Sequence, residues 1–403
     1  MSSILTNSSA MVALQTLKTI NSSLSDTQSQ ISTGKKVANA TDNSAVWAIS
    51  KVMESDVEGF NSISESLSLG QSTVAVARQA SETVTDLLTE MKGKIVAAQE
   101  DNVDRGKLNA DVSALKDQID SVVGAAQFNG LNLVDGSASS ASVLASLDRD
   151  ASGGVSASSI SVTAQNLSTG GYTAKAAFTG SDGVAADSAD AFGFSLDGTG
   201  GTTDSGTVVI ADPTYAEGDK ITLRLGDEEV SYTVTADDAA SSTTEDIVAV
   251  GLKAAIEATG SNLTVDYDSA NPGELVITND STDSIQISGQ FTNANSGGLG
   301  ALASIDVSSS AGATAALGAI ETLIDTAIDA SSAFGSVEGR INTQSEFVSK
   351  LTDSLKTGIG SLVDADMEET SARLQALQVQ QQLATQSLSI ANQAPQSILS
   401  LFR

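Results

Sequence analysis

The sequence predicts an α+β protein: a discontinuous α-helical coiled-coil rod formed by both chain ends, with an inserted β-rich outer domain. Three observations lead there. Positions 53 to 95 carry Met53, Phe60, Leu67, Val74, Ser81, Leu88 and Ile95, a seven-residue repeat interrupted only by the serine. Phe334, Ile341, Val348, Leu355 and Leu362 keep the same spacing near the other end. The chain between about 137 and 300 has no such repeat; its apolar residues alternate instead. A strict repeat of seven keeps one narrow apolar stripe facing a partner helix, so the two ends should pack together and carry the middle as a separate body.

The first segment, 1–33, is helix-compatible, free of proline and thinly apolar, with Leu14, Leu17, Leu24 and Ile31 among Ser, Thr, Asn and Gln. Residues 361–403 behave alike, with Leu374, Leu377, Leu383, Leu388, Ile390 and Leu399, and with Ala384 and Ala391 at seam positions. Neither stripe buries enough surface alone to offset the entropy of ordering it. Each is expected to be disordered in a lone monomer and helical against other copies.

The sturdier helices lie at 34–140 and 301–360. Asp42 and Asn43 are candidate caps for a helix from about 44 to 99, and a second follows Gly106 with Leu108, Val112, Leu115, Ile119 and Val122. A third runs from about 315 to 360, with Gly335 and Gly339 expected to mark a local break. Asn129-Gly130 and Asp135-Gly136 are turn pairs, and the composition changes after them to Ser, Thr, Gly, Ala and Asp. Residues 141–300 are therefore assigned to the inserted domain. There, 220–225 and 230–234 flank a Gly226-Asp227 turn, and 263–265 and 275–277 flank Asn271-Pro272-Gly273, with a short helix from 247 to 258 between the two hairpins. The insert's basic residues are Arg149, Lys175, Lys220, Arg224 and Lys253 against a large excess of acids, as suits a water-facing body.

Composition removes many functions. The 403 residues include no Cys and no His, so disulfides, thiolate or imidazole metal ligands, thiol nucleophiles and the usual base near neutral pH are excluded. A formal charge of −30 repels nucleic acid and anionic membranes. Met1-Ser2-Ser3-Ile4-Leu5-Thr6 has no basic region followed by an apolar run, and no stretch reads as apolar enough to span a bilayer. Neither a cleavable leader nor a membrane span is expected, and no cofactor or catalytic group is expected either. Asp364-Ala365-Asp366 reads as a helix start rather than a metal or acid/base pair, because residues two apart on a helix do not share a face. Asp266-Tyr267-Asp268 before Asn271 reads as a turn rather than a calcium loop, since Ala270 stands where a ligand would be needed. Gly198-Thr199-Gly200-Gly201 lacks the residues of a phosphate loop and reads as a surface loop. Lys35-Lys36 is a lone basic pair, solvated or answering nearby acids.

Motifs at both ends resemble those of the bacterial flagellins. Gln30-Ile31-Ser32-Thr33-Gly34 through Thr41-Asp42-Asn43 is similar to the family's leucine-serine-serine-glycine to double-aspartate stretch, and Gln127-Phe128-Asn129-Gly130 to its asparagine-glycine turn. Val363-Asp364-Ala365-Asp366-Met367-Glu368-Glu369 resembles the acidic start of the family's terminal helix. The stretch from Ser389 to Phe402, with Ala391-Asn392-Gln393 in it, resembles the family's alanine-asparagine-glutamine close. Gln30 and Asp42-Asn43-Ser44 depart from the commonest pattern and look closer to the alphaproteobacterial, rhizobial-type branch. The resemblance implies a flagellin: a secreted, extracellular subunit passed uncleaved through the flagellar type III channel. It would polymerise helically into the flagellar filament, with its terminal helices inside and its insert outside. It implies as partners further copies of itself, companion flagellins, an export chaperone, and cap and hook-associated proteins. A hook–filament junction protein is the alternative in the same organelle, and a carboxylate-dependent glycosidase housed in the insert is a third reading. The helix segment that a Toll-like receptor grips in many flagellins carries an arginine; here Thr89-Glu90-Met91-Lys92-Gly93-Lys94-Ile95-Val96 has lysines and a glycine, and that recognition does not carry over.

Overall fold

The computed structural model describes residues 7–149, 154–184, 189–211 and 214–401, of which 394–401 by backbone alone. Helices α1 (Ser8–Thr33), α2 (Ser44–Ala97) and α3 (Arg105–Ala125) come first, then the short strands β1 (Gln127–Phe128) and β2 (Leu131–Asn132) and the long hairpin β3 (Ser140–Arg149) and β4 (Val155–Thr163). The middle follows with β5 (Ala191–Leu196), β6 (Ser205–Val209), β7 (Lys220–Leu225), β8 (Glu228–Thr233), α4 (Ala236–Ala239), α5 (Thr244–Thr259), β9 (Leu263–Tyr267), β10 (Glu274–Asn279) and β11 (Ile285–Thr292). A 3₁₀ turn at Gly300–Ser304 leads into α6 (Ser310–Val363) and α7 (Met367–Leu401). The chain forms two compact units, Met1–Glu65 with Ser146–Ala157 and Ser345–Arg403, and Ser66–Ala145 with Ser158–Gln344.

In the first unit the two helix breaks are joined. Gly34 ends α1 in the left-handed region at φ 70°, a conformation a side chain would resist, and donates its N–H to the Gln30 carbonyl. The chain after it pairs with the break before α7: Lys36 and Val37 both donate to the Val363 carbonyl (2.7 and 3.3 Å), and Ala365 donates to Gly34 (3.0 Å). Asn43 caps α2 by accepting from Val46, while Asp42 holds the preceding turn through the N–H groups of Ala38 and Asn39. Asp366 caps α7, accepting from Glu368 and Glu369, whose carboxylates suit the positive end of the helix.

The second unit carries the helical core and the sheets. Asn129 and Gly130, at φ 51° and 83°, make the two-residue loop between β1 and β2. Asp104 caps α3. The inserted body has two antiparallel sheets, ordered β5-β11-β7-β8 and β6-β10-β9, with α5 packed on β8, β9 and β10. Both expected hairpins are present, but they enter different sheets. Their shared core includes Phe178, Phe192, Leu223, Leu252, Ile277 and Phe291, with Phe178 edge-on to Phe192 at 4.8 Å.

Four expectations need correction. First, α6 runs unbroken through Gly335 and Gly339: the positions cost helix propensity, but continuous packing of the helix around them outweighs it. Second, the insert does not begin at 141. The β3–β4 hairpin lies along helices, with Val143 against Gly70 and the Ala145 carbonyl accepting from Gln344 (2.9 Å) in one unit, and Leu147 against Gly59 and Arg149 bound to Asp56 (2.6 Å) in the other. The inserted body is entered and left where Gly297, Gly298 and Leu299 donate to Gly170, Asn166 and Ser168. An exposed two-stranded ribbon has the same small polar composition as the body beyond it, so composition placed the boundary too early. Third, Leu362 leaves the apolar seam and is 41% exposed. Fourth, an eighteen-residue window of α6 does reach a mean hydropathy of 1.2, the level of a candidate span, and 50% of it is buried in the fold. Its alanines, Ile320 and Leu323 serve as core.

Candidate assembly surface

The terminal helices α1 and α7 cover part of their apolar surface with each other and leave part of it uncovered. Asn7 accepts from Ala10 to start α1 and donates its Nδ2 to the Ala391 carbonyl (2.8 Å). Gln381 donates to Asn21 (2.7 Å). With the Ala365 to Gly34 bond, these contacts run α1 and α7 antiparallel, with 7 opposite 391, 21 opposite 381 and 34 opposite 365. Position 24 therefore falls beside 377, and 17 beside 384. Along this seam Thr27, Leu377 and Ala384 are buried, and Leu17, Leu24, Ile31, Leu374 and Leu388 are half-buried.

The structure thus divides the expected self-assembly residues. Leu17, Leu24, Ile31, Leu374, Leu377 and Leu388 are covered, in part or fully, within the chain, so the thin stripes find a first partner in each other. Leu14 and Ile390 are not covered, at 57% and 69% exposed. The side chain of Leu399 lies outside the described residues. Leu383, read from the sequence as part of the C-terminal stripe, is exposed too, and sequence reasoning missed Met11, Val12 and Val379, which are exposed as well. The signal was there: 11 and 14, and 379, 383 and 390, are spaced as neighbours on a helix face.

The expected rod-core residues are mostly buried. Leu67, Val74, Leu88, Ile95, Leu115, Ile119, Phe334, Ile341 and Val348 are enclosed, while Met53, Phe60 and Leu355 are half-buried. Ser81 is buried within the seam and turns its hydroxyl back to the Ala77 carbonyl (2.9 Å), which satisfies it without a partner helix. Ile63, Ala77, Val84, Met91 and Ala98 complete a second row three residues on, so α2 carries a full two-row heptad that the one-row reading caught only by half. Arg78 ties α2 to α6 through Glu338 (2.7 Å) and pairs with Glu82 on its own helix (2.5 Å), and those hydrogen bonds, Glu338's first, raise its already high pKa. Lys92 is paired with Glu321, and Lys94 with Asp111 (3.0 Å). Lys35 lies 3.7 Å from Glu54. Among the described residues no group of acids could hold a metal ion. Asp268 accepts from Ala270 in a turn, as read from sequence.

Comparison with known proteins agrees with this organisation. The bacterial flagellin N-terminal helical region matches residues 4–139, and the bacterial flagellin C-terminal helical region matches residues 317–402. Over its whole length the chain is 36% identical to Flagellin A of Rhizobium meliloti, and 36% identical to Flagellin D of Rhizobium meliloti strain 1021, covering 100% of each. Among solved structures, flagellar hook associated protein-3 from Legionella pneumophila aligns with 77% of this chain and 98% of its own at 12% identity, with a TM-score of 0.40.

Proposed function

The chain belongs to the bacterial flagellins, the subunits of the extracellular flagellar filament, and on that premise we propose how its residues assemble. Helices α1 and α7 pair within each subunit through Leu17, Leu24, Ile31, Leu374, Leu377 and Leu388. The uncovered stripe of Met11, Val12, Leu14, Val379, Leu383 and Ile390 is then buried between copies. The observation that carries this reading is the exposure of those six apolar residues on the two helices whose Leu17, Leu24, Ile31, Leu374, Leu377 and Leu388 are covered in part or fully. Each such side chain contributes about 1.5–3 kcal/mol when fully buried, and the gain repeats at every subunit. The α2, α3 and α6 seams, from Met53 to Ile95, Leu115 and Ile119, and Phe334 to Leu355, stiffen the subunit rather than join copies. Residues 171–296 form the body that faces water. Export-chaperone, cap and hook-associated partners would meet the same exposed helices before or at the ends of assembly. The relatives that match over the full length are named flagellins, which sets the hook–filament junction alternative aside.

The double variant Leu14→Glu, Ile390→Glu tests the surface. It should keep the wild-type melting transition of the helical core yet form no filaments by electron microscopy. Filaments of ordinary length from this variant would overturn the assignment.

A further inference from the structure

We propose that Met11 is an oxidation site whose state decides whether a subunit can join the filament; the inference rests on the assembly surface proposed above. The chain has five methionines, of which Met1 lies outside the described residues. Of the other four, Met91 is enclosed in the helical core, Met53 is half-buried, Met367 is 43% exposed and Met11 is 62% exposed. Peroxide oxidises a thioether where it can reach the sulfur, so Met11 and Met367 are the open targets among the described methionines.

The two stand in different surroundings. Met367 opens α7 in a turn where Glu368 and Glu369 are exposed as well, so a polar group added there stays in water. Met11 lies beside Val12 and one turn from Leu14 on α1, in the stripe that the pairing of α1 with α7 leaves bare. Its unbranched, polarisable side chain suits a surface that must fit another copy. In the reaction the sulfur lone pair attacks one oxygen of hydrogen peroxide and the O–O bond breaks. The leaving hydroxide takes the proton from the oxygen now on sulfur and departs as water, so the sulfur is oxidised by two electrons and the peroxide reduced by two. The sulfoxide is a hydrogen-bond acceptor, and the side chains of Val12, Leu14, Val379, Leu383 and Ile390 give it no donor, so burying it between copies costs its hydration without a replacement. Once copies have closed over the stripe the sulfur is covered. An oxidant that meets free subunits therefore stops growth without dissolving the filament already built.

The test treats full-length monomer with hydrogen peroxide, removes the peroxide, reads sulfoxide at each methionine by peptide mass mapping and follows polymerisation by sedimentation. Wild-type chain oxidised at Met11 should need at least ten-fold more protein to polymerise, and treatment with the two methionine sulfoxide reductases, one for each epimer, should restore it. Met11→Leu, still oxidised at Met367, should polymerise as untreated chain does. In finished filaments Met11 should oxidise at least ten-fold more slowly than in monomer. Met11→Gln, polar but similar in length and helix propensity, should show the ten-fold rise with no oxidant present. Normal polymerisation of Met11→Gln would take Met11 out of the assembly surface and overturn both readings of it. If Met11→Gln is defective while chain carrying Met11 sulfoxide polymerises normally, the surface stands and the oxidation site falls. An equal loss in oxidised Met11→Leu, or equal oxidation of Met11 in filament and monomer, would overturn the oxidation site as well.

Discussion

At the scale of single residues, two glycines of the same helix predict opposite outcomes. A Cβ on Gly70 would lie 2.5 Å from both γ carbons of Val143. Valine is stiff at χ1 and cannot swing away, so overpacking of about 1–3 kcal/mol should exceed the gain in helix propensity of about 1 kcal/mol. Gly70→Ala should lower the melting temperature. A Cβ on Gly93 meets nothing within 4 Å, and Gly93→Ala should stabilise by about 0.5–1 kcal/mol. Calorimetric melts of the two variants check the signs; a stabilised Gly70→Ala would mean that β3 does not sit on α2 as described.

Among elements, α7 depends on its start. Asp366 satisfies two N–H groups at the head of the helix, and Asp366→Ala should cost about 1 kcal/mol and fray the first turn, measured as faster amide exchange at Glu368 and Glu369. The α2 segment Thr89–Val96 bears on recognition by a flagellin-sensing Toll-like receptor. Met91 is in the core, and Lys92 and Lys94 are already engaged by Glu321 and Asp111. A receptor surface built for a planar, bidentate arginine gains little from tethered ammonium groups. Weak or absent activation in a reporter-cell titration is expected, and a response as sensitive as that to an arginine-bearing flagellin would refute it.

For the whole molecule, the hydrogen-bonded segments at 166–170 and 297–299 define where the insert can be removed. Joining 170 to 297 by a short linker should leave the β3–β4 hairpin on its helices and preserve filament growth. Removing 145–300 instead takes away β4 and the second half of β3 and should lower the helical melting transition, because Gly59 loses Leu147 and Val143 over Gly70 loses the strand that pairs with its own. Electron microscopy and circular-dichroism melts of both deletions distinguish them; equal behaviour would show that the hairpin contributes nothing to the helical part.

Periodicity and turn chemistry are local, and they suffice to read the long helices, both central hairpins, the short helix between them and the family motifs at the two ends. The buried seam from Leu67 to Ile95 follows from spacing alone, since a repeat of seven admits one covered stripe. Which residues of the thin terminal stripes stay uncovered does not follow from spacing. Leu17 and Leu14 have the same chemistry, and only the antiparallel register of α1 on α7 covers one and leaves the other bare. The limits of the insert were likewise beyond local reading, because an exposed ribbon and an exposed domain share a composition. The sequence by itself determined which segments are helix or strand and which family they build. The tertiary structure decided which apolar surface remains for other copies, because exposure is a property of what packs against a side chain and not of the side chain.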